Sequence, residues 1–319
     1  MALARRRLID IGLLVLVNLM WAGQYPAYKI ATAKMGPVTV SAWTFLVAGI
    51  ILLPFLFWQN RSDSERKKVG PHKPSPDRHF WTHQNLVSFT MVGILGLVPA
   101  SAFLAWGIER STASNAALLY LTVPIITAVL AAIILHERMT KVRWAGLSIS
   151  LIGVLVLSGF DLRHMQLGNA RYFFGNILVL LACTSSSFYN VYSKELLRRL
   201  SPLEVLVCGY YLAVLVSLPL LIWVEPFSLS SLRNYSVSTW LALLVLSVLS
   251  WGLAMVLWMF LLTRLDVSQA SISIYLLPLL GALISVATLK EAVTPALLLG
   301  GFVTLAGTFC AMVADGSST

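Results

Sequence analysis

The chain has 319 residues, of which 58% are hydrophobic and 11% charged, with a formal net charge of +10. Soluble domains carry about 25% charged residues, so two soluble domains are excluded, as is a disordered chain, which needs low hydrophobicity. The basic residues are scattered among short loops, which argues against a nucleic-acid partner and leaves an all-α integral membrane protein with spans of about 20 residues each.

The chain opens on Arg5-Arg6-Arg7 and an apolar run, Leu8–Tyr28, in the manner of a secretory leader. The run exceeds an h-region of about 7–15 residues and contains Asn18, Trp21 and Gln24, so it reads as the first span. The second span is Gly36–Trp58, followed by a basic, Pro-containing loop, Gln59–His83. Further apolar runs are Gln84–Ile108, Ser114–Leu135, Arg143–Phe160, Tyr172–Ser193, Pro202–Val224, Val237–Thr263, Ser268–Thr288 and Pro295–Ala314, ten transmembrane helices in all. Cys183, Cys208 and Cys310 lie inside apolar segments without a CxxC pattern and read as packing residues. With the N-terminus in the cytoplasm, 16 basic residues fall inside and seven outside. Their split is an orientation signal, and it predicts a multi-pass inner-membrane protein with both termini cytoplasmic.

Internal similarity is the most informative feature. An offset of 165 pairs Lys29 with Lys194, Pro37 with Pro202, Pro54 with Pro219 and Trp58 with Trp223. An offset of 154 pairs Arg110 with Arg264, Ser114 with Ser268, Pro124 with Pro278, Glu137 with Glu291, Thr140 with Thr294, Gly146 with Gly300 and Gly153 with Gly307. The predicted units are residues 8–160, which include the 59–83 loop, and residues 172–314. Each holds five spans, and five is odd, so the second unit enters the membrane upside down. Inverted repeats of this kind build many secondary transporters.

Two five-helix units of this size, the Asn18-Leu-Met-Trp21-Ala-Gly stretch, and a helix-4 proline followed 13 residues later by glutamate make the chain resemble the drug/metabolite transporter superfamily, EamA type. The proline–glutamate pairs are Pro124 with Glu137 and Pro278 with Glu291. The second unit departs from the pattern, with Ser186 and Ser187 where the first has Trp21 and Ala22. The resemblance implies a ten-helix carrier that exports small metabolites such as amino acids. A facilitator of another small solute, or a non-transporting polytopic protein, is the alternative.

No charged residue falls at the centre of a predicted span. Intramembrane charges mark ion and proton pathways, so carboxylate-based proton coupling and phosphate substrates are both disfavoured. A neutral or zwitterionic solute in a pocket of aromatics with a few polar groups fits better. The candidate lining is Asn18, Trp21, Gln24 and Tyr25 in the first helix, Trp106 in the third, Tyr120 in the fourth, Ser186, Tyr189 and Asn190 in the sixth, Trp258 in the eighth, and Ser271 and Tyr275 in the ninth. Trp43, Thr122 and Trp251 are weaker candidates, whereas Trp58, Trp223 and Trp240 sit at span ends as interfacial belt residues.

Pro124 and Pro278 fall mid-helix, and Pro54 and Pro219 form a second equivalent pair. Proline frees a backbone carbonyl, so all four read as kinks available for gating. Gly146 and Gly153, like Gly300 and Gly307, are seven apart and share one helix stripe, a packing face or a homodimer face. Glu137 and Glu291, beside His136 and Lys290, read as helix-end pairs or caps. His136-Glu137 lacks the second histidine of a zinc-protease motif, and no intramembrane serine has a histidine base near it. Neither enzyme chemistry nor a metal or other cofactor is expected.

Overall fold

A computed structural model describes residues 2–69, 82–111, 113–157, 170–225, 235–289 and 295–313. Glu291, Lys290 and Thr294 lie outside these residues, as does part of the 59–83 loop. Among the described residues the protein is all helix, grouped into ten runs. The first five are α1 (Ala2–Ala22, then Gln24–Thr32), α2 (Pro37–Val69), α3 (His83–Met91, a π-helical Val92–Leu97, Val98–Glu109), α4 (Ala113–Tyr120, then Val123–Ile134) and α5 (Lys141–Leu157). The others are α6 (Ala170–Leu196), α7 (Pro202–Trp223), α8 (Val237–Leu244, a π-helical Val245–Ala254, Met255–Leu262), α9 (Val267–Ile272, a 3-10 turn Ser273–Tyr275, Leu276–Leu289) and α10 (Pro295–Val313). Seven runs contain stretches of 18 residues or more that are apolar enough to cross a membrane, in α1, α2, α3, α6, α7, α8 and α9.

The outward faces suit lipid. Phe55, Trp58, Ile133, Trp223 and Phe302 are each more than half exposed. Polar side chains turn inward instead, with Asn18, Thr127, Ser187, Ser271 and Ser273 fully buried. In lipid a polar group gains most by facing a partner helix.

Helix starts follow their sequences. Ser201 and Glu204 form a reciprocal capping box at α7, with Pro202 in its first turn. Thr82 caps α3 and Ser236 caps α8 through their hydroxyls. α2 extends past its apolar stretch to Val69, into what the sequence suggests is loop.

The prolines divide into two kinds. Pro54 and Pro219 lie inside continuous helices. Pro124 and Pro278 fall within their runs, each in the first α-helical turn after an irregularity: a two-residue turn in α4 and the 3-10 turn in α9. A proline in a first turn lacks a donor that would be unpaired anyway. The π-helical segments were not legible in the sequence. They recur in α3 and α8 near the offset of 154, as do the breaks in α4 and α9.

The glycine stripes of α5 and α10 mate with each other. A Cβ on Gly146 would sit 2.7 Å from the Gly307 carbonyl, and one on Gly300 would sit 2.7 Å from the Gly153 carbonyl. Ser150 and Thr308 share a hydroxyl contact of 3.1 Å across the same seam. That stripe is therefore covered within the chain, and a second copy would need another face.

Candidate functional site

The centre of the bundle brings together residues from four helices. α1 packs against α8 and α9, and α4 packs against α6 and α9. Asn18 of α1 is fully buried. Its Nδ2 donates to the Leu14 carbonyl at 2.8 Å and to Ser273 Oγ of α9 at 2.9 Å. A carbonyl only accepts, so this network orients the amide. Asn18 Oδ1 is left buried with no partner. One turn further, Trp21 meets Trp258 of α8 with ring centroids 5.2 Å apart at 55°. Trp258 is fully buried and donates from Nε1 to Asn190 Oδ1 of α6 at 3.0 Å. The Asn190 amide is oriented in turn by its bond to the Ser186 carbonyl.

The break in α4 leaves backbone carbonyls that neighbouring helices satisfy. Tyr275 of α9 donates its hydroxyl to the Leu121 carbonyl at 2.9 Å, and Ser187 of α6 donates to the Val123 carbonyl at 3.1 Å. Residues 121 and 275 are related by the offset of 154, so the two broken helices meet at equivalent places. Inside a membrane, broken helices are tolerated only where such donors or acceptors re-satisfy the backbone. Tyr275→Phe should therefore lower stability by about 1–3 kcal/mol, since Leu121 would lose its partner. A melting midpoint equal to the parent protein's would show that the carbonyl finds another donor.

Not every predicted residue joins this group. Asn18, Trp21, Asn190 and Trp258 do, whereas Tyr275 packs with Leu147, Val154 and Ile272 in a separate cluster. Tyr189 is buried nearby on α6. Tyr120 is half-buried and packs in a side cluster with Val123, Ile126 and Ile274. Ser271 is buried but bonds within its own helix, to the Ser268 carbonyl. Ser186 and Gln24 are half-buried, and the Tyr25 side chain is outside the described residues. The structure does not bring Trp106 to the centre. It packs on Phe103, where Gly107 holds that end of α3 against Val179 and Gly175 of α6. Trp43 pairs with Trp240 in a small groove of about 270 Å³ whose lining includes Val237 and Leu241.

Sequence reading named Trp251 but missed Ser273 and the aromatic residues that gather around Trp251. Trp251 Nε1 donates to the Tyr28 hydroxyl at 3.3 Å, and Tyr210 donates to the Trp251 carbonyl at 2.6 Å. Phe45 stacks on Tyr210 at 5.4 Å and meets Trp251 edge-on at 4.8 Å. The π-helical part of α8 contains Trp251, and such segments often mark functional places. Ser273 is one serine among several along α9, and only the turn that reaches Asn18 distinguishes it.

The charged groups gather at the two ends. At the end where α1 starts, Arg264 pairs with Asp10 at 3.2 Å and Arg143 with Asp266 at 2.6 Å. A cavity of about 690 Å³ opens there, lined by charged residues (Asp10, Arg143 and Arg264 among them) and by apolar ones such as Ile11, Leu14 and Met312. Among the described residues, no group of three or more His, Cys, Asp or Glu side chains is placed to hold a metal ion.

Comparison with known proteins gives concordant matches. Residues 8–159 and 173–313 match the model of the EamA-like transporter family. A "Probable terminal-alkyne amino-acid exporter" of Streptantibioticus cattleyicolor is 27% identical, over 92% of this chain and 90% of that protein. An "Uncharacterized transporter" of Archaeoglobus fulgidus is 26% identical, over 93% and 95%. The Bacillus subtilis "Uncharacterized transporter YoaV" is 23% identical, over 93% and 94%. A solved crystal structure superposes with a TM-score of 0.75 at 20% identity, covering 95% of this chain and 96% of that one. That likeness bears on the fold alone.

Proposed function

The chain belongs to the EamA-like transporter family, and from that premise we propose that this multi-pass membrane transporter exports small neutral or zwitterionic metabolites, amino acids among them. Its two five-helix units, residues 8–160 and 172–314, work as inverted repeats by alternating access. The membrane is the bacterial or archaeal inner membrane, with both termini in the cytoplasm.

One observation carries the substrate class. The central group of Asn18, Trp21, Asn190 and Trp258 is aromatic and polar but uncharged, and Asn18 Oδ1 is a buried acceptor without a partner. An unsatisfied buried acceptor is costly, and a solute bearing N–H or O–H donors satisfies it. A group without cations has nothing to offset the desolvation of a phosphate. The printed name of the Streptantibioticus relative, an amino-acid exporter, points to the same chemistry.

The direct test is flux. Purified full-length protein in vesicles should exchange labelled amino acids against a panel of unlabelled ones. Exchange should continue after the proton gradient is collapsed, because the sequence has no carboxylate near the centre of a span. Flux that stops with the proton gradient would overturn the uncoupled reading. Exchange confined to organic phosphates would overturn the substrate class.

A further inference from the structure

Two helix starts are capped by a carboxylate from a distant helix. At α2, the backbone amides of Val38 and Thr39 donate to Glu225 at 3.2 and 3.0 Å, and the Thr39 hydroxyl donates at 3.2 Å. Glu225 stands just beyond the end of α7. At α9, the amides of Val267 and Ser268 donate to Glu137 at 2.9 and 3.0 Å, and the Ser268 hydroxyl donates at 2.6 Å. Glu137 stands just beyond α4, after His136 turns the chain at φ 57°. A non-glycine residue rarely adopts that φ, and the turn aims the carboxylate at α9.

The two contacts lie at opposite ends of the bundle. α1 runs from the Asp10–Arg264 end to the start of α2, where Glu225 sits. Glu137 grips Val267 and Ser268 immediately beside Asp266, which Arg143 holds at the Asp10 end. Each contact joins the chain's first half to its second, and both contacts are made in this structure, the second beside the cavity of about 690 Å³ whose lining includes Asp266 and Leu14. Each also uses side-chain-to-backbone bonds that water can replace, because helix-end amides have no intrahelical partner. Breaking one therefore leaves the helices themselves intact.

We propose that Glu225 and Glu137 are the two gate residues of the transport cycle, each holding its own end shut and yielding in alternation. The proposal rests on the transport reading and adds to it the residues that hold each end closed. Gly36 supports the first gate: a Cβ there would occupy the place of the Glu225 carboxylate, so only glycine leaves the carboxylate its seat. Arg143 and Asp266 reinforce the second gate.

The test needs no substrate. Full-length protein in nanodiscs, open to solvent on both faces, would carry one reporter cysteine in place of either Tyr28 or Leu14. Tyr28 is half-buried toward the Glu225 end of α1, and Leu14 is buried toward the other. Labelling by a water-soluble maleimide is read against the protein without a reporter. Glu225→Gln should raise labelling at position 28 by about ten-fold and lower it at position 14, as expected when one charge-assisted contact biases a two-state equilibrium. Glu137→Gln should do the reverse. Gly36→Ala and Ser268→Ala test the same two gates with both carboxylates retained, and should repeat the two patterns more weakly. Labelling that rises at both positions together, or at neither, assigns the glutamates a structural role only and overturns the proposal. Reciprocal labelling without flux of any solute would instead count against the transport reading and leave the gates standing.

Discussion

Trp258→Ala should insert into the membrane and lose at least about nine-tenths of its exchange rate, a ten-fold loss equal to about 1.4 kcal/mol in a rate. Trp258 is fully buried, faces Trp21 at 5.2 Å and holds Asn190 by a 3.0 Å hydrogen bond. Truncation removes the ring that Trp21 packs on and leaves Asn190 Oδ1 without its donor. It also costs stability, about 3–5 kcal/mol for a buried tryptophan in a core, so flux alone would be ambiguous. Trp258→Phe separates the two effects. It keeps an aromatic face for Trp21 but removes the indole N–H and some ring volume, and leaving Asn190 Oδ1 unpaired costs about 1–3 kcal/mol. Initial exchange rates normalised to inserted protein, beside melting curves of both variants, decide the matter. If the alanine variant exchanges solute at the parent rate, Trp258 is core and not pathway.

Gly153→Leu should yield little folded protein, because the α5–α10 seam has no room for a side chain. A Cβ at Gly153 would lie 2.5 Å from Thr304 Oγ1 and 2.9 Å from the Gly300 carbonyl, with the Thr304 amide closer still. Backbone atoms cannot swing aside as a side chain does, so the helices must part. Overpacking in cores costs about 1–3 kcal/mol, and separating two backbones also forfeits the dispersion contacts along the seam. Gly281→Ala is the matched control. It lies on α9, where an added Cβ meets nothing within 4 Å, and alanine favours a helix over glycine by about 1 kcal/mol. Thermal midpoints from the full-length protein in detergent check both. A Gly153→Leu chain that melts with its parent would refute this packing of the two helices.

The legible part of the protein was its one-dimensional pattern. Apolar runs between charged breaks predict the ten helices with small errors at their ends. The larger errors were α2, which runs on to Val69, and α4, which breaks before Val123. Trp21, Asn190 and Trp258 were legible as candidates because polar and aromatic residues inside an apolar run stand out. Trp106 stood out for the same reason and does not reach the centre. Residue type alone does not say which way a helix turns its face. Ser273 and Tyr210 were hidden among many similar residues, and only their partners single them out.

Sequence alone determined the solvent, the helices and the family. Hydropathy and spacing act locally along the chain, and a span needs only about 20 apolar residues whatever lies beside it. Tertiary structure alone decided which residues meet. Asn18 finds Ser273 across 255 positions, and Glu137 finds Ser268 across 131. The glycine stripes could face a second copy or each other, and the packed chain turns them toward each other. The physical reason is that polar groups in lipid are satisfied only by other parts of the protein. Each orphaned carbonyl, amide or amide oxygen therefore takes its partner from the helix that packing places beside it, and no local pattern names that helix.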